Sequence, residues 1–461
     1  MTRTVRMGAG GALALALFLA MALPMEGAPG TVVGTSSPPD TVSVSPELTL
    51  EQALLRALDV APRVRQWGAG REAAEAGAGW LSSSYLPTVN AGTSLSRSRF
   101  PTIVTPIREA GLFPPLSNEI REASVSATWT VFDFGAGREG RSAARTLAEA
   151  AGAREGQARM ETLETVTDHF LQLAVLEALE EAQRSRLEGI RESEAEVRVL
   201  VTEGRLPSVD RLRLAEVLLE AQADLRSTEE EIHRVAASLS TELALDLPVS
   251  PEDIVAPGFP IALPGRSLDG PSELGGPILD AAEARLRSAD HEARQAYAAL
   301  LPRLELGGRQ SFRSAPGLPT DRDWAVSLQV RVPLFRGEAL TGVRVREAQA
   351  RERSAELEWA RASLETALRD LQALERDARE RIRVLDARTE YLEEAFRIEE
   401  ASYREGRTTL ADLLSTEARL SGARAERIGL VGRVLLAHLR TAALTGELSV
   451  PLALDLLGDA R

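Results

Sequence analysis

Between Trp324 and Leu334 every second residue is apolar: Trp324, Val326, Leu328, Val330, Val332 and Leu334, with Ala325, Ser327, Gln329 and Arg331 between them. This two-residue period predicts a strand with one oily and one wet face. After Phe335-Arg336-Gly337 the period lengthens, and Leu357, Leu364, Leu371, Ala378, Leu385 and Leu392 fall at heptad spacing, flanked by Leu368, Ile382 and Phe396. From Leu357 no Pro or Gly intervenes before Gly406, so the stretch reads as a coiled-coil helix. From Ala339 to Tyr403 it would reach about 95 Å at ~1.5 Å per residue. A compact globular domain has no use for such a rod.

The rest of the chain is a second copy of this plan or a connection. Residues 29–47 read as an extended Ser/Pro/Thr leader. Leu48 to Leu54 opens a helix, with Thr49 as its cap and Gln52 as the capping-box partner, and a helical pattern resumes from about Gly68 to Ser84. After Leu86-Pro87 alternation predicts strands over about 86–99 and 122–134, separated by a long polar loop from Phe100 to Arg121. Long helices follow over 138–200 and 209–245, hinged at Glu203-Gly204-Arg205-Leu206-Pro207; a short turn between long helices makes them antiparallel neighbours. Residues 246–277 are rich in Pro and Gly and connect the first repeat (48–245) to the second (278–447). The second repeat has a helix over Ile278 to Leu300, Leu301-Pro302, strands over about 302–313 and 324–335, and long helices over 339–403 and 409–445; a tail of 448–461 closes the chain. Asp412 stands at the same distance from Gly406 as Asp210 from Gly204. The shared order and spacing indicate an internal duplication.

Composition narrows the function. A net charge of −14 argues against a nucleic-acid partner. Residues 1–28 carry Arg3 and Arg6, an apolar core from Ala12 to Leu23 and small residues near Gly27-Ala28, the pattern of an export signal. There is no Cys, hence neither a disulfide framework nor a thiol for lipid attachment. Beyond residue 28 no run of about eighteen apolar residues occurs, so a membrane span would have to be a strand.

Four amphipathic strands, each long enough to cross a bilayer, cannot close a barrel, and an open edge in lipid leaves backbone groups unpaired. Oligomerisation is therefore expected. Three copies would supply about twelve strands and an aqueous bore, whereas about eight would fill with side chains. Trp129, Phe132, Phe134, Trp324 and Phe335 lie near strand ends, where an aromatic girdle belongs. The expected class is mainly α with a membrane β-barrel: a trimeric twelve-stranded barrel continuing into an α-helical tunnel.

At this point the sequence resembles the TolC-type outer-membrane efflux factors. The resemblance rests on the Leu48-Thr49-Leu50-Glu51-Gln52-Ala53-Leu54 opening, the Leu-Pro strand starts at Leu86 and Leu301, the strand-to-helix passages at Phe132 and Phe335, and the turns at Gly204 and Gly406. It implies a homotrimer in outer-membrane lipid with a large periplasmic portion, no catalytic role and no cofactor, and docking onto a periplasmic adaptor and an inner-membrane transporter. It also implies a gate at the helix tips, with Tyr403, Asp210 and Asp412 at the matching positions. Ser415 stands where a second entrance acid occurs in the family, and Thr408 where a linking arginine can occur, with Arg407 beside it. The tips themselves, Gly204, Arg205, Leu206, Gly406, Arg407 and Thr408, are the expected adaptor contact.

Other patterns point elsewhere and are weaker. Gly135-Ala136-Gly137-Arg138-Glu139-Gly140 has the spacing of a dinucleotide loop, but its preceding strand alternates and no βαβ return follows. His169, His233, His291 and His438 are isolated on helices without metal-ligand spacing. The rival class is a structural periplasmic coiled coil with soluble hairpins, against which stand the apolar strand faces in both halves.

Overall fold

The structure, a computed structural model, describes residues 48–458 except 84, 105–113, 246–248, 257, 260–262, 266 and 269–273. The expected export signal and leader lie outside the described residues. In chain order the elements are α1 (Leu50–Val60), α2 (Pro62–Ser83), β1 (Thr88–Ile103), β2 (Leu116–Phe132), α3 (Ala136–Thr202) and α4 (Ser208–Glu242). After the connection come α5 (Pro277–Ala298), β3 (Arg303–Ser314), β4 (Asp321–Arg331), α6 (Gly337–Arg404), α7 (Leu410–Thr445) and α8 (Val450–Leu457).

The strands form one antiparallel sheet in the order β1-β2-β3-β4. Its register sets Val89, Ala127, Gly308 and Val326 in one row, so the apolar positions of all four strands share a face. The β1–β2 connection is shorter than the expected Phe100–Arg121 loop. β1 passes through Pro101 because the pairing shifts between Arg97 and Thr102, and an edge strand tolerates a residue without an N–H. β4 ends earlier than its alternation suggests, at Arg331, just before Pro333.

At the foot of the sheet Asp133 accepts the Gly135 and Gly137 amides at 3.1 and 2.7 Å, and Gly135 takes φ +92. This starts α3 without a linker. A Cβ on Gly137 would fall 2.1 Å from the Tyr85 ring, so the glycines of the apparent dinucleotide loop serve a tight strand-to-helix passage.

α3, 67 residues, and α6, 68 residues, are the long rods, each about 100 Å at ~1.5 Å per residue. Near the sheet α3 packs against α2 and α5, and α5 against α6; farther away α3 packs against α4 and α7, and α7 against α6. The lateral order is thus α2-α3-α5-α6 above and α4-α3-α7-α6 below. The largest core forms a collar around the rods, in which Leu50 and Leu54 of α1 meet Phe170 and Leu173 of α3, Leu239 of α4, and Val434 and Leu435 of α7. Thr49 Oγ1 accepts the Gln52 amide at 3.4 Å to start α1, and Leu48 bridges to Ile254 of the connection. The stretch expected as a plain tail contains α8, whose Ala453 and Leu457 are buried in the same collar. By length and composition α7 is apolar enough to cross a membrane, yet its Val431, Val434, Leu435 and Leu439 are core residues of this collar.

Candidate functional site

The end farthest from the sheet is made by two helix turns of the same design. In the first, Gly204 has φ +73 and the Arg205 amide bonds back to Leu200 O at 2.9 Å; in the second, Gly406 has φ +71 and the Arg407 amide bonds to Ser402 O at 2.9 Å. Left-handed glycine followed by a six-to-one bond is the Schellman stop, which reverses the chain within a few residues. Arg205 and Arg407 are exposed and pair with Glu203 at 3.5 Å and Glu405 at 2.9 Å. Leu206 instead turns inward, onto a small core made by Ile190, Val197, Leu214, Leu410 and Leu413, which Tyr403 also joins. Thr408 donates to Asp412 at 3.3 Å.

Asp210 and Asp412, matched in sequence, do different work. Asp412 closes a capping box: its carboxylate accepts from the Thr409 hydroxyl at 2.6 Å and the Thr409 amide at 3.3 Å, while its own amide donates to Thr409 Oγ1 at 3.2 Å. Those Thr409 bonds hold its carboxyl below the usual aspartate range. Pro207 stands where Thr409 stands and offers no such hydroxyl, so Asp210 is released from capping. It is buried, with Arg213 at 3.5 Å, and its charge reaches Tyr403. Burial first, then the charges of Asp210 and Glu196, push the Tyr403 phenol upward. Among the described residues the buried Tyr403 hydroxyl has no hydrogen-bond partner, and neither has one buried oxygen of Glu399, one turn earlier on α6.

Tyr403 therefore lies within reach of the Asp210 charge, Asp412 stays on its own cap, and Glu196 and Glu399, which no sequence pattern singled out, join them. A further tie is the Arg186–Glu417 ion pair at 3.0 Å, which joins α3 to α7 across a cavity of about 330 Å³ between the two hairpins. Its charged ends lie largely inside, and Asp224 of α4 approaches the same guanidinium at 3.6 Å. The four isolated histidines have separate surroundings: His291 meets Glu139 at 2.7 Å, His438 meets Glu375 at 3.0 Å, His233 is exposed, and burial pushes the His169 imidazole below its ordinary value.

Lipid-facing strands with open edges that run without a break into paired helices define one protomer of an outer-membrane channel. The chain belongs to the outer membrane efflux protein family, which matches residues 53–244 and 275–447, the two repeats on either side of the connection. It is similar to the pyoverdine export outer membrane protein OpmQ of Pseudomonas aeruginosa, 26% identical over 82% of this chain and 80% of that one. OpmQ of Pseudomonas putida is 27% identical over 65% of this chain and 64% of that one. Among solved structures, the fold matches the outer-membrane channel OprN (TM-score 0.74, 23% identity, 86% of this chain and 90% of that one). It also matches VceC of Vibrio cholerae (TM-score 0.73, 20% identity, 86% and 96%). The protein is accordingly an outer-membrane efflux channel component rather than an enzyme or a soluble coiled coil.

Proposed function

We propose that three copies close into a passive exit duct, gated at the helix tips and fed by an energised inner-membrane transporter through a periplasmic adaptor. The observation that carries this reading is a pair of matched open edges. In the sheet the free strands are β1 and β4; among the tip helices the free flanks are α4 and α6. Both flanks carry apolar residues at heptad spacing with nothing over them: Leu212 and Leu219 on α4, and Val384, Tyr391 and Ile398 on α6. Tyr391 is 76% exposed and Leu219 66%, values suited to a seam that a second copy covers. One rotation that joins β4 to β1 of the next copy also joins α6 to its α4.

Within such a trimer the tips around Gly204, Arg205, Leu206, Gly406, Arg407 and Thr408 lie farthest from the membrane and are our adaptor contact. Tyr403 and Asp210 are the closing link, and Asp412 lines the entrance. The experiment is native mass spectrometry of the detergent-solubilised protein, alone and with Tyr391→Glu plus Leu219→Glu. A trimer that the double substitution reduces to monomer supports the reading, and a wild-type monomer overturns it.

A further inference from the structure

Resting on the trimeric reading, we infer that the outward rim of the barrel binds phosphate groups of an outer-leaflet glycolipid, gripping them at each seam between protomers. The apolar face that meets lipid includes Val89, Ala91 and Leu95 on β1 and Val326, Leu328 and Val330 on β4. The end of each strand remote from the helices is the outer end, because Leu86, Phe132, Leu301 and Phe335 all connect on the helix side. Towards that outer end each edge strand carries an arginine two residues beyond the end of its regular apolar alternation: Arg97 after Leu95, beyond which the pairing register shifts and Phe100 and Ile103 follow, and Arg322 before Trp324. On the same face of β2, Arg121 follows two residues beyond Ala123. Two residues of strand rise about 6.6 Å, so the guanidinium groups stand just above the hydrocarbon edge.

These arginines are short of carboxylates. Glu119 lies directly opposite Arg97 in the register, but it is taken by Arg121 at 2.7 Å. Arg97 and Arg322 are both exposed and make no ion pair among the described residues. The lumen face shows the opposite treatment. There Glu122 holds Arg309 and Arg313 at 2.8 and 3.1 Å, and Glu305 holds Arg303 and Arg331 at 2.9 and 3.1 Å. Each of these bore-facing cations thus has a carboxylate, whereas on the outward face Arg121 is paired with Glu119 and only Arg97 and Arg322 of the three make no ion pair among the described residues. Since the chain has no lysine, the choice of arginine says nothing by itself; the position does.

β1 and β4 are the two open edges, so closing the barrel sets Arg322 of one copy beside the Arg97 strand of the next. Two planar forks, each just past its own strand's apolar alternation, offer the contacts by which guanidinium groups recognise the oxygens of a phosphomonoester. A protein partner fits less well, because anything seated there stands among lipid headgroups.

The test is native mass spectrometry of the purified channel titrated with bisphosphorylated lipid A and, separately, with lipid A stripped of phosphate. The wild-type trimer is expected to carry up to one bisphosphorylated molecule per seam. Arg97→Gln with Arg322→Gln should bind it about tenfold more weakly, Arg97→Lys with Arg322→Lys should retain most of the binding, and the lumen variant Arg309→Gln should match wild type. Equal binding by the Gln variant, or equal binding of the phosphate-free lipid, overturns the inference. Displacement by millimolar inorganic phosphate overturns the lipid assignment, leaving a plain anion site. The same spectra report the trimer mass, so a failure of assembly is told apart from a failure of lipid binding. Should the Gln variant not assemble, the phosphate-free lipid on wild type still decides.

Discussion

Tyr403 shows how much one hydroxyl can be asked to do. A buried phenol without a partner costs about 1–3 kcal/mol relative to a satisfied one, and its neighbours are acids that accept and never donate when ionised. In the proposed gate, a rearrangement of the tips that lets it donate to Asp210 would gain a charge-assisted bond and so favour the closed form. Tyr403→Phe is expected to shift the closed-to-open balance towards open by about tenfold, the equivalent of ~1.4 kcal/mol, read as higher conductance of the trimer in a planar bilayer. An unchanged conductance would return Tyr403 to a packing role. Asp412→Asn should lower cation preference in the same bilayer. Because Thr409 depresses the Asp412 carboxyl, its charge is present above its lowered pKa and is lost as pH falls through that value. The wild-type preference should therefore persist to lower pH than an ordinary aspartate near ~3.9 allows. The duplicated spacing puts Asp210 and Asp412 in equivalent slots, and the equivalence hides how they differ. What separates them is the residue three places earlier, Pro207 against Thr409, a capping distinction that the T-x-x-D spacing did contain.

At the scale of elements, alternation and heptads revealed which segments are strands and which are rods, because each buries one face and the period is set by geometry. Ends were less legible. Pro101 looked like loop and lies in a strand, since an edge position forgives the missing donor; α8 looked like tail and is helix, since collar residues from distant segments cover it. Glu196, Glu399 and the Arg186–Glu417 pair were invisible for the same reason, being defined by neighbours far away in sequence. Facing within the sheet is open to direct challenge. Val326 sits mid-band in the row of Val89, Ala127 and Gly308, while Ser327 faces the bore. Val326→Arg should cost about 2–4 kcal/mol in lipid and cut the yield of membrane-assembled trimer, whereas Ser327→Arg should leave it intact. Equal yields would reverse the facing.

For the whole molecule, the connection between repeats is fastened by one buried acid. Glu375 of α6, fully buried at a position its heptad would give to an apolar residue, accepts from the Leu268 amide at 2.9 Å, Arg379 at 2.7 Å and Ser267 at 3.4 Å, and contacts His438 of α7 at 3.0 Å. Arg379 and Gln372 in turn donate to Pro264 O and Leu268 O, both at distances under 3 Å. Burial pushes the Glu375 carboxyl up, but the Leu268 amide, Arg379 and His438 together hold it below the usual range. The stability it contributes is thus present above the unfolded-state value and lost as pH falls through the folded one. Glu375→Gln removes the charge that faces Arg379 and His438 in a buried site and is expected to cost about 3–5 kcal/mol at neutral pH. Its thermal midpoint should lie well below that of wild type near neutrality, with the gap closing beneath about pH 4; a gap independent of pH would show that the charge is irrelevant.

The duplicated rods have unequal fates. α3 is flanked on both sides by its own chain, α2 and α4 on one side and α5 and α7 on the other, whereas α6 has its own chain on one side alone. On the proposed trimeric reading, a newly exported copy can therefore finish one half of itself by a first-order process, but the other half waits for an encounter. Completion of the fold becomes second order in chain concentration, of the kind that takes milliseconds to minutes, and a cell that makes too few copies accumulates half-sealed ones with an oily stripe bare to the periplasm. Abundance, as much as sequence, then sets how much of this protein reaches its native state.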